Sequence, residues 1–199
     1  MLPWAEDRCF KCALRIEDPA ESVICLACQN SSPPFDRLSA LFSYDPPVTR
    51  LVTGLKFGEN LTYGKILGEL LADAVTEKWY KKESLPQAIL PVPLHKKRIQ
   101  KRGFNQALEL LRPLRKRYAI PIILDEVTRI RHTSPQSELN EENRKQNLKN
   151  AFKVHKPLKF EHVAILDDVV TTGSTVHALS LILRECGVQQ IDIWSICRA

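Results

Sequence analysis

The chain predicts an α/β fold built on a mainly parallel sheet flanked by helices, with a small cysteine-rich segment in front. Three observations carry this. From Leu38 onward, short apolar runs alternate with stretches of helical periodicity, the pattern of a doubly wound sheet. Val163-Ala164-Ile165-Leu166 is a continuous apolar run, as expected of a parallel strand covered on both faces, and it ends in Asp167-Asp168. A hydroxyl-rich turn around Gly173 follows, and an apolar helix begins at Val176. At 199 residues there is room for one such domain and an appendage.

The appendage holds two Cys-x2-Cys pairs, Cys9/Cys12 and Cys25/Cys28, twelve residues apart. Four thiolates so spaced can gather a tetrahedral zinc ion and close a loop that has no core of its own. The metal would then supply most of the folding free energy, on the order of 10 kcal/mol. With every ligand a cysteine no coordination site stays open, so the role is structural or partner-binding. Two disulfides, an iron–sulfur site or vestigial thiols are the alternatives. Ala13 and Gln29 stand where a glycine usually follows each pair, which predicts less regular knuckles. Pro19 marks a turn, and Ser31-Ser32-Pro33-Pro34 marks a linker between a ribbon at 1–34 and a main domain at 35–199.

Within the main domain, Leu38 to Tyr44 is strand-like, and Val48 to Phe57 is helical. Leu61 to Trp79 is a helix with Leu67, Leu70, Leu71 and Val75 on its apolar face. Ala88 to Val92 is the next strand, Asn105 to Tyr118 a helix, and Ile120 to Arg129 another strand. A polar loop over 131–150 precedes the Val163 strand, and Gln190 to Cys197 ends the sheet. Cys186 and Cys197 are expected as buried apolar residues. His155, His162 and His177 show no partner pattern and are expected at the surface or as caps. The opening residues hold acids and no apolar core of a secretory signal, and no run approaches the ~20 apolar residues that span a bilayer. A cytoplasmic protein is expected.

In an open α/β sheet ligands sit beyond the carboxyl ends of the strands. The turn from Thr171 to Thr175 lies there and aims helix N–H groups outward, which suits a phosphate. Gly173 permits a backbone angle that a side chain resists and lets a ligand approach. Thr171, Thr172, Ser174 and Thr175 add hydroxyl donors, and Ser174 or Thr175 is expected to cap the helix. The helix terminus alone contributes only about 0.3–2 kcal/mol toward an anion, so several donors must act together. Asp167 and Asp168 would repel a phosphate if they faced it. Neighbours on a strand point to opposite sides, so they are poorly placed to chelate together but can accept hydrogen bonds from sugar hydroxyls. A sugar phosphate fits better than a nucleoside triphosphate, whose Gly-x4-Gly-Lys-Ser/Thr loop is absent. An ordinary strand–turn–helix with a polar turn is the plain alternative.

The Asp-Asp-x-x-Thr-Thr-Gly-x-Thr core of this segment resembles the phosphoribosyl pyrophosphate (PRPP) signature of type I phosphoribosyltransferases, without departure. The resemblance implies that Asp167 and Asp168 contact the ribose hydroxyls and that Thr171, Thr172, Gly173, Ser174 and Thr175 wrap the 5′-phosphate. It also implies magnesium, bridging ribose and pyrophosphate oxygens supplied mostly by the ligand. In a catalytic version the two aspartates would steady the developing oxocarbenium charge.

A second stretch, Pro91-Val92-Pro93-Leu94-His95 through Arg102-Gly103-Phe104-Asn105-Gln106, ends a strand in a loop loaded with cations. Between His95 and Arg117 stand nine Lys/Arg and one Glu, a local charge of +8 in a chain of +6, so the basic character is localised. Part of it is a solvated helix face. These residues, the four-cysteine ribbon, Lys56-Phe57-Gly58 and the series Arg129, Arg131, Thr133, Gln136, Leu139, Arg144, Asn147 and Phe152 together resemble the ComF family of competence-associated proteins. By that resemblance, His95, Lys96, Lys97 and Arg98 lie in the pyrophosphate loop. The segment 131–150 becomes a lid, with Arg131, His132, Arg144 and Lys145 as its cations and Gln136 and Asn147 as hydrogen-bond donors. Glu138, Glu141 and Glu142 dilute that charge, and a surface excursion without chemistry is the alternative.

Two functions follow. One is a PRPP-binding protein that handles single-stranded transforming DNA in natural competence, using Lys96, Lys97, Arg98, Lys101, Arg102 and Phe104. Phe57, Phe10 and Tyr118 are further rings for stacking. The other is an active transferase that moves ribose 5-phosphate from PRPP to an unknown nitrogen acceptor. An adaptor for a helicase or the DNA-uptake machinery is a third. Whether the chain turns over is not legible, and no general base is apparent.

Overall fold

The structure is a computed structural model that describes residues 2–17, 22–58, 60–131 and 151–199. Pro19 and the body of the expected lid, with His132, Thr133, Gln136, Glu138, Leu139, Glu141, Glu142, Arg144, Lys145 and Asn147, lie outside the described residues.

The fold is α/β. Four strands form a parallel sheet: β1 (Arg37–Ser43), β2 (Ala88–Pro91), β5 (His162–Val170) and β6 (Gln190–Arg198), in the order β1-β6-β5-β2. Although last in the chain, β6 lies inside the sheet, paired with β1 and β5. Alternation along β5 explains the two cores. Val163 and Ile165 face one layer, where α6 (Ser174–Glu185) packs with Leu179 and Leu183. Ala164 and Leu166 face the other, built from α2 (Val48–Phe57), α3 (Leu61–Ala74) and α5 (Gln106–Arg117). With both faces covered, the strands are apolar throughout, which is why they read as runs.

Each helix buries one stripe. In α2 it is Val48, Val52 and Leu55, and in α5 it is Ala107, Leu110, Leu111 and Leu114. A close helix contact is made by α3 on α5. A Cβ built on Gly68 would stand 2.6 Å from the Leu110 carbonyl oxygen and 2.9 Å from Pro113 Cδ. One of those atoms is backbone and does not yield, so Gly68→Ala should lower stability by about 1–3 kcal/mol in urea denaturation. An unchanged midpoint would show that the helices are not in this contact.

Four expectations are corrected. The strand expected over 120–129 is broken: Ile122 bridges to Ile89, and the chain then turns into β3 (Val127–Arg129), which pairs antiparallel with β4 (Phe152–Val154). The Glu126 carboxylate accepts the Leu124 N–H at 3.1 Å and stabilises that turn. The cationic loop after Leu94 is a helix, α4 (Lys96–Arg102), between His95 as N-cap and Gly103 as a left-handed C-cap. Cys186 is only half-buried beyond the end of α6, whereas Cys197 is fully buried as expected. His162 is not a surface or capping residue: its Nε2 lies 2.7 Å from Oδ2 of the buried Asp192.

The cysteine segment, with the short helix α1 (Leu26–Asn30), lies against β1. Trp4 bridges antiparallel to Phe42 and its ring sits 4.7 Å from that of Phe42. No helix among the described residues is long and apolar enough to cross a membrane.

Candidate functional site

The site lies where β2 and β5 end side by side. Asp167 and Asp168 lie near the carboxyl end of β5, two residues before its close at Val170, and alternation sends them to opposite faces. Asp168 turns to the α2 side and is buried; its Oδ2 lies 3.1 Å from Lys56 Nζ. Its Oδ1 accepts the Val169 N–H at 2.8 Å, while Asp167 Oδ1 accepts the Asp168 N–H at 2.9 Å. Burial, reinforced by the charge of Asp168, pushes the Asp167 carboxyl up to about 7, against the pull of Lys56. Two adjacent acids sharing a desolvated strand end do not ionise independently.

Cations converge on this pair from three elements. Lys56 ends α2. Arg102, the last residue of α4, lies within the field of Asp168. Arg129 of β3 is buried under Asp167, stacked at 5.4 Å on Phe152, and feels both Asp167 and Arg98. Burial lowers the pKa of both arginines, and the acids offset part of that cost. Asn105 fixes the geometry between α4 and α5. Its Oδ1 accepts the Ala107 N–H at 3.0 Å, and its amide donates to the Val92 carbonyl at 3.1 Å, tying α5 to the end of β2.

Beyond β5 the chain turns at Gly173, whose φ of +77° is the left-handed conformation expected of that position. Gly173 itself is the N-cap of α6, in place of Ser174 or Thr175. The Thr172 hydroxyl contacts Ser174 Oγ at 2.8 Å and weakly accepts the Ser174 N–H at 3.4 Å. The first helical bond runs from His177 N–H to the Gly173 carbonyl at 2.9 Å, so the N–H groups of the preceding turn aim past the strand end. Thr171 and Thr172 are exposed there. Arg198 braces the turn from behind: its guanidinium donates to the carbonyls of Val170 (3.1 Å) and Thr171, and its Nε donates to the Cys12 carbonyl at 3.0 Å.

The cations of α4 divide by exposure. Lys96, Lys97 and Lys101 are exposed, whereas Arg98 and Arg102 are half-buried, Arg102 within the field of Asp168. Phe104 packs against the core and is a poor platform for a ligand.

The four N-terminal cysteines form the second site. The Sγ atoms of Cys9, Cys12, Cys25 and Cys28 all lie within 4.8 Å of one another, with Cys12 and Cys25 at 3.6 Å. A tetrahedron of four thiolates at the zinc–sulfur distance has edges of about 3.8 Å, so the donor set fits that ion. Although burial opposes it, N–H groups of Cys25, Cys12 and Lys11 hold the Cys9 thiol down at about 7. Burial pushes Cys12 up to about 11. Ala13 takes a positive φ of 55°, the angle a glycine would supply after the first pair. By contrast, Cys197 is an inert core thiol: burial, then the charge of Asp168, raises it to about 12.

No protein-family model matches the chain. Curated relatives do. It is 35% identical over 195 residues to competence protein F of Haemophilus influenzae, covering 96% of this chain and 84% of the relative. It is 37% identical over 191 residues to the DNA utilization protein YhgH of Salmonella typhimurium, covering 96% and 83%. The corresponding protein of Shigella flexneri is 37% identical over 175 residues, covering 87% of this chain and 77% of the relative. The chain belongs to the ComF family.

In this ComF-family chain the partners of the two aspartates were the part hidden from the sequence. Lys56 and Arg129 belong to the residues that carry the family resemblance, but nothing in the spacing assigns one to Asp168 and the other to Asp167. Only the sheet order and the α2 crossing bring them there.

Proposed function

We propose that this ComF-family protein is a phosphoribosyltransferase-like protein, with its boundary near residue 34, that binds PRPP or a related ribose phosphate and handles single-stranded DNA during competence, in the cytoplasm. The observation that carries this reading is the end of β5. Asp167 and Asp168 stand in the last turn of the pleat before β5 ends and the chain passes into the left-handed Gly173 and a helix start, and Lys56, Arg102 and Arg129 gather around them. Acids for a diol, outward amides for a terminal phosphate and nearby cations for a second phosphate group are the complement of PRPP. Magnesium would be held mainly by the ligand's oxygens, because Asp168 already holds Lys56 and a backbone N–H. A zinc ion on the four cysteines would be structural. The exposed lysines of α4 suit the backbone of a single strand, as the DNA-related names of the relatives suggest. One observation favours turnover as a second reading: an acid titrating near neutrality beside the ribose site is poised for proton chemistry.

Calorimetry with PRPP and magnesium tests the ribose assignment. Replacing both Asp167 and Asp168 with alanine removes two charged acceptors and should weaken binding at least about 100-fold. Binding equal to wild type would discard the assignment. Single-strand binding should weaken steeply with salt, and Lys96/Lys97/Arg98→Ala should flatten that slope. Pyrophosphate release from PRPP across candidate acceptors separates binding from turnover.

A further inference from the structure

Phe57 is 71% exposed at the last position of α2, although the helix buries a different stripe. A lone exposed apolar residue is ordinary. This one is not alone. The preceding residue, Lys56, touches Asp168 at 3.1 Å, and the guanidinium of Arg102 lies 5.2 Å from the centre of the Phe57 ring. Arg102 also stands in the field of the buried Asp168, so ring and guanidinium lie beside the acid pair. Phe104, the other ring near this end of the basic stretch, packs against the core, as does Tyr118 at its far end.

We propose that Phe57 and Arg102 form a stacking platform for a nucleobase, so that the site accepts a base and a pentose phosphate together. A flat ring backed by a guanidinium attracts any base through its π-face and tolerates every sequence. The exposed Lys96, Lys97 and Lys101 on the same helix as Arg102 meet the phosphates of a strand whose base rests there. The sugar's place in this picture rests on the ribose reading of Asp167 and Asp168, but the platform uses different side chains and is tested separately. The shared chemistry is a base on a phosphorylated pentose, which a free nucleotide or a strand of DNA can supply.

The test measures binding of three probes to the full, metal-loaded chain: ribose 5-phosphate, thymidine 5′-monophosphate, and 5′-phosphorylated oligothymidylate of about ten nucleotides. Phe57→Ala should leave ribose 5-phosphate within about twofold of wild type and weaken one or both base-bearing probes about 5- to 150-fold, the range for one base–aromatic stack. Phe57→Trp should restore binding, with its fluorescence quenched by base-bearing probes and not by ribose 5-phosphate. Losses with both base-bearing probes assign the platform to nucleotides generally, and a loss with the oligonucleotide alone assigns it to the strand. A uniform loss across all three probes, base-bearing probes bound as tightly as by wild type, or no wild-type binding of either base-bearing probe would overturn the platform. If wild type ignores ribose 5-phosphate while oligonucleotide binding depends on Phe57, the ribose reading fails and the platform stands.

Discussion

Chelating the metal, or replacing Cys9 with serine, is expected to unfold the cysteine segment and to loosen the phosphate turn as well. The segment has little to hold it otherwise. Its larger apolar side chains are exposed, with Phe10 at 52%, Val23 at 66% and Leu26 at 76%. Cys9 and Ala13 are its buried residues among those described. A loop so poor in core would depend on a bound ion for on the order of 10 kcal/mol, and a serine in place of one thiolate would remove most of that. The effect should travel because Arg198 spans both sites, holding the Cys12 carbonyl with one nitrogen and the carbonyls of Val170 and Thr171 with another. Metal analysis should find one zinc per chain in wild type and less than one in Cys9→Ser. Limited proteolysis should then cut between Arg8 and Gln29, and ribose 5-phosphate affinity should fall about tenfold, the size of one lost charged hydrogen bond. Cys186→Ser, outside the cluster, serves as the control. Metal-free protein that resists protease like wild type would mean the ribbon stands without its ion.

The sheet strands, α2 and the Gly173 turn were legible because their signals are local: apolar runs, helical spacing, a glycine where φ must be positive. Basic residues concealed α4. A run of five cations within Lys96–Arg102 has no apolar stripe to announce a helix, yet His95 and Gly103 cap it at either end. The break at Leu124–Glu126 was concealed for the opposite reason. Apolar residues on both sides suggest one long strand, but only the short stretch 121–123 meets β2: Ile122 bridges to Ile89, whose N–H donates to the Pro121 carbonyl and whose carbonyl accepts the Ile123 N–H, each at 2.9 Å. Of the candidate site, the acids and the turn were readable in one contiguous motif. Their counter-ions were not, since Lys56 and Arg129 lie 112 and 38 residues from their aspartates in sequence. The four cysteines were fully legible because metal ligands must recur at fixed spacing.

Asp192→Ala is expected to cost about 3–5 kcal/mol of stability, although it lies at the opposite end of the sheet from the ligand site. Asp192 sits fully buried near the start of β6, in an apolar run where a carboxylate has no local justification. Its Oδ2 accepts from the Tyr80 hydroxyl at 2.5 Å and meets His162 Nε2 at 2.7 Å. Its Oδ1 lies 3.3 Å from Arg37 Nε, and the Arg37 guanidinium stacks 4.3 Å over the Tyr80 ring. Trp194 donates to the Tyr80 oxygen at 3.1 Å and extends the network into the core. Removing the carboxylate leaves the buried Arg37 with only its ion pair to the exposed Glu83 at 2.9 Å and strands the Tyr80 hydroxyl donor, which costs more than the pair itself contributes. Burial alone would raise the Asp192 pKa, but the hydrogen bonds from His162 and Tyr80, with Arg37, outweigh it and the net direction is downward. A depressed carboxylate contributes stability that is fully present above its unfolded value, near 3.9, and lost as pH falls through the lower folded value. Asp192→Asn keeps an acceptor for Tyr80 but no charge for Arg37, so its loss should be smaller than that of alanine. Urea midpoints compared at pH 7 and below pH 4 should show the gap between wild type and Asp192→Asn closing in acid. A gap that persists unchanged through that range would mean the network is held by shape and not by the charge on Asp192.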